Sequence, residues 1–494
     1  MRIFIKGHEF NYELEKLTRL FFPFERVDFV KDGEVRDGLF GLAYIENKGD
    51  DLLLSAGAGT GERFYEKTKT LNKSDLLHPM KERYPEHVLA GLLFECYCLL
   101  TNYRPQWGIL TGIRPAKLFR KMEELLGEEA AFSYFVDVFK VEKQKLSLLK
   151  RTAKSEDEII SRSHKKSVSI YVSIPFCPTR CSYCSFVSHS ISSAADLIPS
   201  YLEFLIKELE ETANIINRLG LEVMTVYVGG GTPTTLSAEQ LELLLGKIRE
   251  LFGYNLEEFT VEAGRPDTIT TEKLLAIKNA GVDRISINPQ SMNNEVLKKV
   301  GRRHTANDVR EKLLLAKEMG FDNINMDLIA GLPGDTPQSF KKTLNEVLEL
   351  DPESITVHSL SIKRSAEIRD GNIPSFNNYL EAGEMVSYAE KTLTENKIFP
   401  YYMYRQSKTV GNLENVGYAK SGKVGIYNVY IMDETHTILA CGASAVSKLK
   451  DQESGNIERI FNFKYPYEYI NGFDEILKRK RLVEEFYAKY HAGN

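Results

Sequence analysis

Nowhere in the 494 residues do eighteen apolar side chains run together, so no ordinary membrane-spanning helix is expected. The opening run Met1-Arg-Ile-Phe-Ile-Lys6 reads as a strand and lacks the apolar segment of a signal peptide. Internal repeats and low-complexity tracts are missing, which argues against a solenoid. An excess of one charge is missing too. The chain has 64 Lys and Arg against 69 Asp and Glu, a net charge of -5. That balance offers no broad electrostatic reason to bind nucleic acid or an anionic membrane. Cysteine is scarce, six in all, too few to staple a chain of this length with disulfides. A cytoplasmic, reducing compartment fits, where free thiols survive.

What cysteine there is, is concentrated. Cys177, Cys181 and Cys184 lie in Ile174-Pro-Phe-Cys-Pro-Thr-Arg-Cys-Ser-Tyr-Cys-Ser-Phe186, a C-x3-C-x2-C spacing. A cubane iron–sulfur cluster normally takes four thiolates, so three without a nearby fourth leave one iron open to a small molecule. Zinc is the alternative, and it favours four ligands in two short pairs, with His189 available by proximity. Cys96 and Cys98 are two apart on an expected helix, Pro85 to Leu100, and point to different faces, as packing thiols would. That helix carries an apolar stripe of Val88, Leu89, Leu92, Leu93, Cys96 and Leu99.

Four regions follow from pattern. Residues 1–150 read as an N-terminal α+β domain, 151–166 as a charged linker that is partly helical, 167–375 as a βα repeat, and 376–494 as an accessory region of short elements. In the third region strands are expected at 167–174, 223–228, 259–261, 284–287, 323–329 and 354–357, with helices between them, among them 198–219, 238–252, 271–280 and 338–350. Six βα units in series imply a parallel sheet curled into a partial (β/α)6 barrel, or an open doubly wound sheet. Either places chemistry at the strand C-termini. Those positions carry Cys177, Gly229-Gly-Gly-Thr-Pro-Thr234, Glu262, Gln290, Asp327, and His358 with Ser361. The glycine run lets backbone approach a ligand, or makes a tight strand–helix turn. In the N-terminal region, Trp107 to Lys117 reads either as a ligand loop or as a turn capping a helix.

The cysteine loop, the Gly-Gly-Gly-Thr-Pro run and Asp327-Leu-Ile-Ala-Gly-Leu-Pro333 together resemble the radical S-adenosylmethionine (SAM) superfamily. They are most similar to its oxygen-independent coproporphyrinogen III oxidase branch, whose pattern also includes Tyr171-Val-Ser-Ile-Pro-Phe-Cys177, Gly301-Arg302 and Asn323-Ile-Asn-Met-Asp327. The long N-terminal region, with Leu110-Thr-Gly-Ile-Arg-Pro115, resembles the HemZ variant of that branch. The resemblance implies a [4Fe–4S] cluster on Cys177, Cys181 and Cys184, with S-adenosylmethionine on its open iron. It also implies cofactor contacts from Tyr171, Tyr183, Gly230, Gly231, Thr232, Glu262, Gln290, Arg302 and Asp327; no catalytic residue is assigned. The implied reaction cleaves the sulfonium by one electron to a 5′-deoxyadenosyl radical. That radical takes hydrogen from a propionate of coproporphyrinogen III, which loses carbon dioxide to leave a vinyl group. The implied partners are a tetrapyrrole substrate and an electron donor. Arg114, Lys363 and Arg364 are candidate cations for substrate carboxylates.

Two positions depart from the branch. Phe186 stands where the decarboxylating oxidases carry a further cysteine and where related haem chaperones carry Phe. Ile426-Tyr-Asn-Val-Tyr430 stands where those chaperones carry His-Asn-x-x-Tyr-Trp. A haem-delivery protein, with His358 and Tyr401 to Tyr404 as candidate contacts, and a radical enzyme with another substrate and an N-terminal recognition module are the alternatives.

Overall fold

A computed structural model describes residues 1–31, 38–72, 74–75, 80, 83–112, 114–185, 188–361, 376–406 and 409–491. Phe186, Lys363 and Arg364 lie outside the described residues. The chain forms two compact units: Met1–Ala153 with Pro374–Gly383 and Tyr404–Glu414, and Lys154–Ile373 with Glu384–Met403 and Asn415–Asn494.

The first unit holds a five-stranded sheet in the order Asp28–Lys31, Arg2–Lys6, Phe40–Lys48, Asp51–Gly59, Phe64–Leu71. Its first three strands are parallel and the rest antiparallel. The helix Tyr84–Thr101 packs on it. Burial extends around most of that helix, through Ala90, Phe94 and Tyr97 as well as the expected stripe. Leu99, expected in the stripe, is instead 52% exposed. Cys96 is buried, with its Sγ 3.4 Å from the Ala56 carbonyl. The Trp107 stretch is a turn. Gly108 has φ +55°, and a Cβ there would stand 2.0 Å from the Phe139 carbonyl oxygen, so only glycine fits. The helix Pro115–Leu126 follows with proline in its first turn. Trp107 Nε1–H donates to Glu414 at 2.6 Å, and Lys145 Nζ reaches the other Glu414 oxygen at 2.5 Å. Arg405 lies over the Trp107 ring, 5.2 Å from its centroid, and donates to Leu110 O.

The second unit is built on one eleven-stranded sheet. Its centre is the six barrel strands in sequence order, all parallel: Ser167–Ile174, Glu222–Gly230, Glu258–Gly264, Arg284–Ile287, Ile324–Ala330 and Ser354–Ser359. Alternating β-branched and apolar residues bury both sheet faces, as a parallel sheet under helices requires. The intervening helices match the periodicity. Ile198–Leu219 starts with Pro199 and stops at left-handed Gly220, and Ala238–Phe252 starts with a Ser237/Gln240 capping box. The first and sixth barrel strands pair outward with different strands, so this is a partial (β/α)6 barrel.

Strands from the accessory stretch extend that sheet at both edges. Glu414–Ala419 pairs antiparallel with the sixth barrel strand, and Phe399–Arg405 lies beyond it. Thr437–Cys441 pairs parallel with the first, followed by the antiparallel strands Val446–Lys450 and Ile457–Phe461. The stretch read as a linker begins inside a helix, Lys143–Ile160. Ala153 and Ile159 are buried on it along with the polar Thr152 and Glu156, whose burial the charged composition concealed.

The N-terminal mouth of the barrel is plugged. The helix Ile426–Asp433 enters there, and the first two N–H groups of that helix donate to the buried Glu258 carboxylate at 2.6 and 3.3 Å. Above it three tyrosine rings stack: Tyr427 on Tyr227 at 4.6 Å, with Tyr171 6.2 Å from Tyr227. Tyr401 is buried below, its hydroxyl bonded by Asn428 and Arg284, so it packs the barrel floor.

Because Glu414 and Lys145 are fully buried, removing one charge strands the other, at a typical cost of about 3–5 kcal/mol. Glu414→Gln is expected to lower the urea midpoint of the first unit. The readout is fluorescence of Trp107, the single tryptophan and a direct partner of Glu414.

Candidate functional site

Parallel strands deliver their C-terminal residues to one face, and on this protein that face is polar. The first strand ends at Ile174 and leads into the cysteine loop. The second ends in the glycine run. Gly231 N–H donates to Ile174 O and Thr232 N–H to Phe176 O, both at 2.8 Å, so the glycine run holds the root of the cysteine loop. Gly230 has φ +108°, closed to most side chains. A Cβ on Gly231 would stand 3.0 Å from Cys177 Sγ, and one on Gly229 would stand 3.0 Å from the Glu262 carboxyl carbon. The glycines therefore bring the thiol and carboxylate elements close against one backbone. Thr232 Oγ1 lies 3.5 Å from Cys177 Sγ.

A second clamp reaches the loop from the third strand. Arg265 forks onto the Asp267 carboxylate at 3.0 and 2.8 Å. Its other nitrogen donates to Thr179 O and Oγ1, at 3.1 and 2.7 Å, and lies 4.0 Å from Cys181 Sγ. Arg302 donates to Tyr183 Oη at 3.1 Å and Asn288 O at 2.7 Å. Asn288 in turn receives Asp327 N–H on its side chain and donates its own N–H to Gly264 O. Gln290, at φ +65°, is held in a left-handed backbone by bonds to Asp327 O and Ile329 N. Arg302, Tyr183, Gln290, Asp327 and Glu262 thus occupy the same face as the cysteine loop. Arg265 and Asn288 belong with them and were not singled out from sequence. Their strand-end positions, three residues after Glu262 and one after Ile287, were the available signal.

Two carboxylates share this face with opposite tendencies. Burial, joined by the Asp327 charge, pushes Glu262 up to about 7, against a 2.5 Å hydrogen bond from Tyr227. Burial also raises Asp327, but His358, Asn325 and Thr356 outweigh it and leave that carboxyl below its ordinary value. The cavity therefore keeps Asp327 ionised beside a Glu262 that holds a proton near neutrality.

All three cysteines are free thiols. Burial raises the Cys177 thiol, so a metal would be needed to hold it as thiolate. Among the described residues no three His, Cys, Asp or Glu side chains already close around one point. Binding would gather the loop, as metal commonly does. The donor set fits a metal–sulfur group: soft thiols on one loop, a guanidinium near one sulfur, and a glycine surface against another. His189, weighed above as a zinc ligand, packs on Tyr465 and Tyr467 at 5.7 and 6.4 Å.

The radical SAM superfamily profile matches residues 171–347. The oxygen-independent coproporphyrinogen-III oxidase-like protein HemZ of Bacillus subtilis is 35% identical over 500 residues, covering 99% of this chain and 99% of the relative. The heme chaperone HemW of the same organism is 40% identical over 198 residues, 40% of this chain and 51% of that protein. Among solved structures, coproporphyrinogen III oxidase (HemN) from Escherichia coli, a radical SAM enzyme, superposes with a TM-score of 0.51 at 26% identity, covering 65% of this chain and 72% of that one.

Glu262 generates a pH signature. Between about pH 4.5 and 7 the folded protein keeps a proton that the unfolded chain releases, so stability falls as pH rises across that window, by about 3 kcal/mol in full. Glu262→Gln keeps an acceptor for Tyr227 and carries no charge. It is expected to flatten that part of the stability–pH profile, measured by urea denaturation in the cluster-free protein.

Proposed function

The chain belongs to the oxygen-independent coproporphyrinogen III oxidase-like branch of the radical SAM superfamily, and on that premise we propose that it oxidatively decarboxylates propionate side chains of coproporphyrinogen III to vinyl groups. The observation that carries the reading is the C-x3-C-x2-C loop rooted on the glycine run at the polar face of a partial barrel. Full-length similarity to a coproporphyrinogen oxidase-like protein supports it.

In this reading Cys177, Cys181 and Cys184 would hold a [4Fe–4S] cluster, and the glycine run would bind S-adenosylmethionine. When bound, the pair supplies hydrogen-atom abstraction started by one-electron reduction of the sulfonium. The protein's own part is positional and electrostatic. Arg265, anchored by Asp267, fixes the loop through Thr179. Gly230, Gly231 and Thr232 give the ligand close access to backbone. Arg302, oriented by Asn288 and Tyr183, presents a fixed positive charge for a carboxylate. Glu262 and Asp327 would offer carboxylates to ribose hydroxyls, and Gln290 and Tyr171 would flank the cofactor. The stack of Tyr171, Tyr227 and Tyr427 closes the barrel beneath the site and keeps water from below away from a reactive carbon. A reducing cytoplasm suits the free thiols, and the electron donor is a separate partner.

The test is anaerobic. Reconstituted protein is expected to bind about four irons per chain. With dithionite, S-adenosylmethionine and coproporphyrinogen III it is expected to yield 5′-deoxyadenosine and a product lighter by carbon dioxide, read by mass. Cys181→Ala should lose cluster absorbance and cleavage together. Tight haem binding without cofactor cleavage would move the chain to the haem-delivery reading.

A further inference from the structure

One surface segment at the rim of the cysteine loop stands against the charge of the chain as a whole. Between Asn294 and Thr305 the sequence is Asn-Glu-Val-Leu-Lys-Lys-Val-Gly-Arg-Arg-His-Thr, four cations against one acid, in a chain with more acids than bases. Arg302 turns inward to Tyr183 and Asn288. Lys298, Lys299 and Arg303 are exposed. Among the described residues none of these three makes an ion pair.

The segment is physically joined to the loop. Ser182 N–H donates to Val300 O at 3.1 Å, and Thr179 Oγ1–H to Gly301 O at 3.2 Å. Gly301, at φ +79°, lies so near the loop that a Cβ there would stand 3.4 Å from Arg180 O. Lys299 leans over Gly334, in the turn after the fifth barrel strand, so the cations spread across the polar face. Two lysines at the end of the helix Asn294–Lys299 complement the negative end of its dipole, which accounts for them locally. It does not account for Arg303 beyond the turn, or for the absence, among the described residues, of an acidic partner beside any of the three.

We propose that Lys298, Lys299 and Arg303 are the docking surface for a small acidic flavin-bearing one-electron carrier protein of the flavodoxin class. The proposal rests on the reading of Cys177, Cys181 and Cys184 as cluster ligands. A single electron would pass from the carrier's reduced flavin to the cluster that the three cysteines would hold, the flavin being oxidised by one electron and the cluster reduced by one. Unpaired surface cations steer an acidic partner and orient it, while ionic strength screens them.

Binding is measured first on the cluster-free full-length chain with an oxidised bacterial flavodoxin, so docking stands or falls independently of whether the reconstituted protein cleaves S-adenosylmethionine. Affinity should fall as salt rises. The K298E/K299E/R303E variant should bind about tenfold or more weakly at low salt and lose the salt dependence. The alanine triple variant should show a smaller loss in the same direction. In the reconstituted protein, reduction by flavodoxin should slow about tenfold in the charge-reversed variant, while reduction by photoreduced 5-deazariboflavin is unchanged. Unchanged flavodoxin affinity in both variants would overturn the proposal. So would equal slowing with both reductants, which would make the cations tuners of the cluster. A raised KM for the tetrapyrrole with unaltered flavodoxin binding would assign them to substrate carboxylates and overturn it as well.

Discussion

Two backbone hydrogen bonds, from Gly231 to Ile174 and from Thr232 to Phe176, govern the geometry of the polar face. They tie the end of the second barrel strand to the start of the cysteine loop. A loop of this length would otherwise sample many conformations, and ordering it has an entropic cost for every residue. By fixing its root, the glycine run sets where Cys177 can stand. The Arg265–Thr179 clamp then limits the region around Cys181, and the backbone of 300–301 limits Ser182 and Thr179. Three neighbouring strand ends thus define one loop, which is why the glycines cannot be exchanged for residues with a side chain.

The same face shows how a low-dielectric site divides protons between like groups. Glu262 and Asp327 are both half-buried, and desolvation alone would raise both. The difference lies in their partners. Asp327 is hydrogen-bonded by His358, Asn325 and Thr356, whereas Glu262 has the Tyr227 hydroxyl and the Gly230 backbone, with the charge of Asp327 working against the pull of His358. One carboxyl is lowered and the other raised, from residues of nearly identical chemistry.

Much of this was legible from residue order because it depends on local rules. Periodicity and capping placed the helices 198–219 and 238–252, and the strand-end rule placed Cys177, Glu262, Gln290 and Asp327 on one face. What stayed hidden depends on pairing across long separations. The strands at 399–405 and 437–441 are short and apolar like many others, and nothing in their composition says that they border opposite edges of the barrel sheet. Arg265 and Asn288 act by reaching other strands, so their roles appear only once those strands are adjacent. The helix through Glu156 looked like a charged connector because its buried acid is matched by a backbone N–H from Met403, 247 residues away. The Trp107 turn was ambiguous for the same reason: its partners Arg405 and Glu414 are distant in sequence.

The plug of the barrel floor sets an order of events during synthesis. All six barrel strands have been made once Ser359 has left the ribosome, yet the Glu258 carboxylate has no helix to receive it until Ile426 and Tyr427 follow. At about 5–20 residues per second, the nascent sheet waits several seconds with a buried-type acid and two tyrosine faces open to water. The cysteine loop is therefore present on a scaffold with an open floor for the whole of that interval, and the floor is plugged only once Ile426 and Tyr427 have followed.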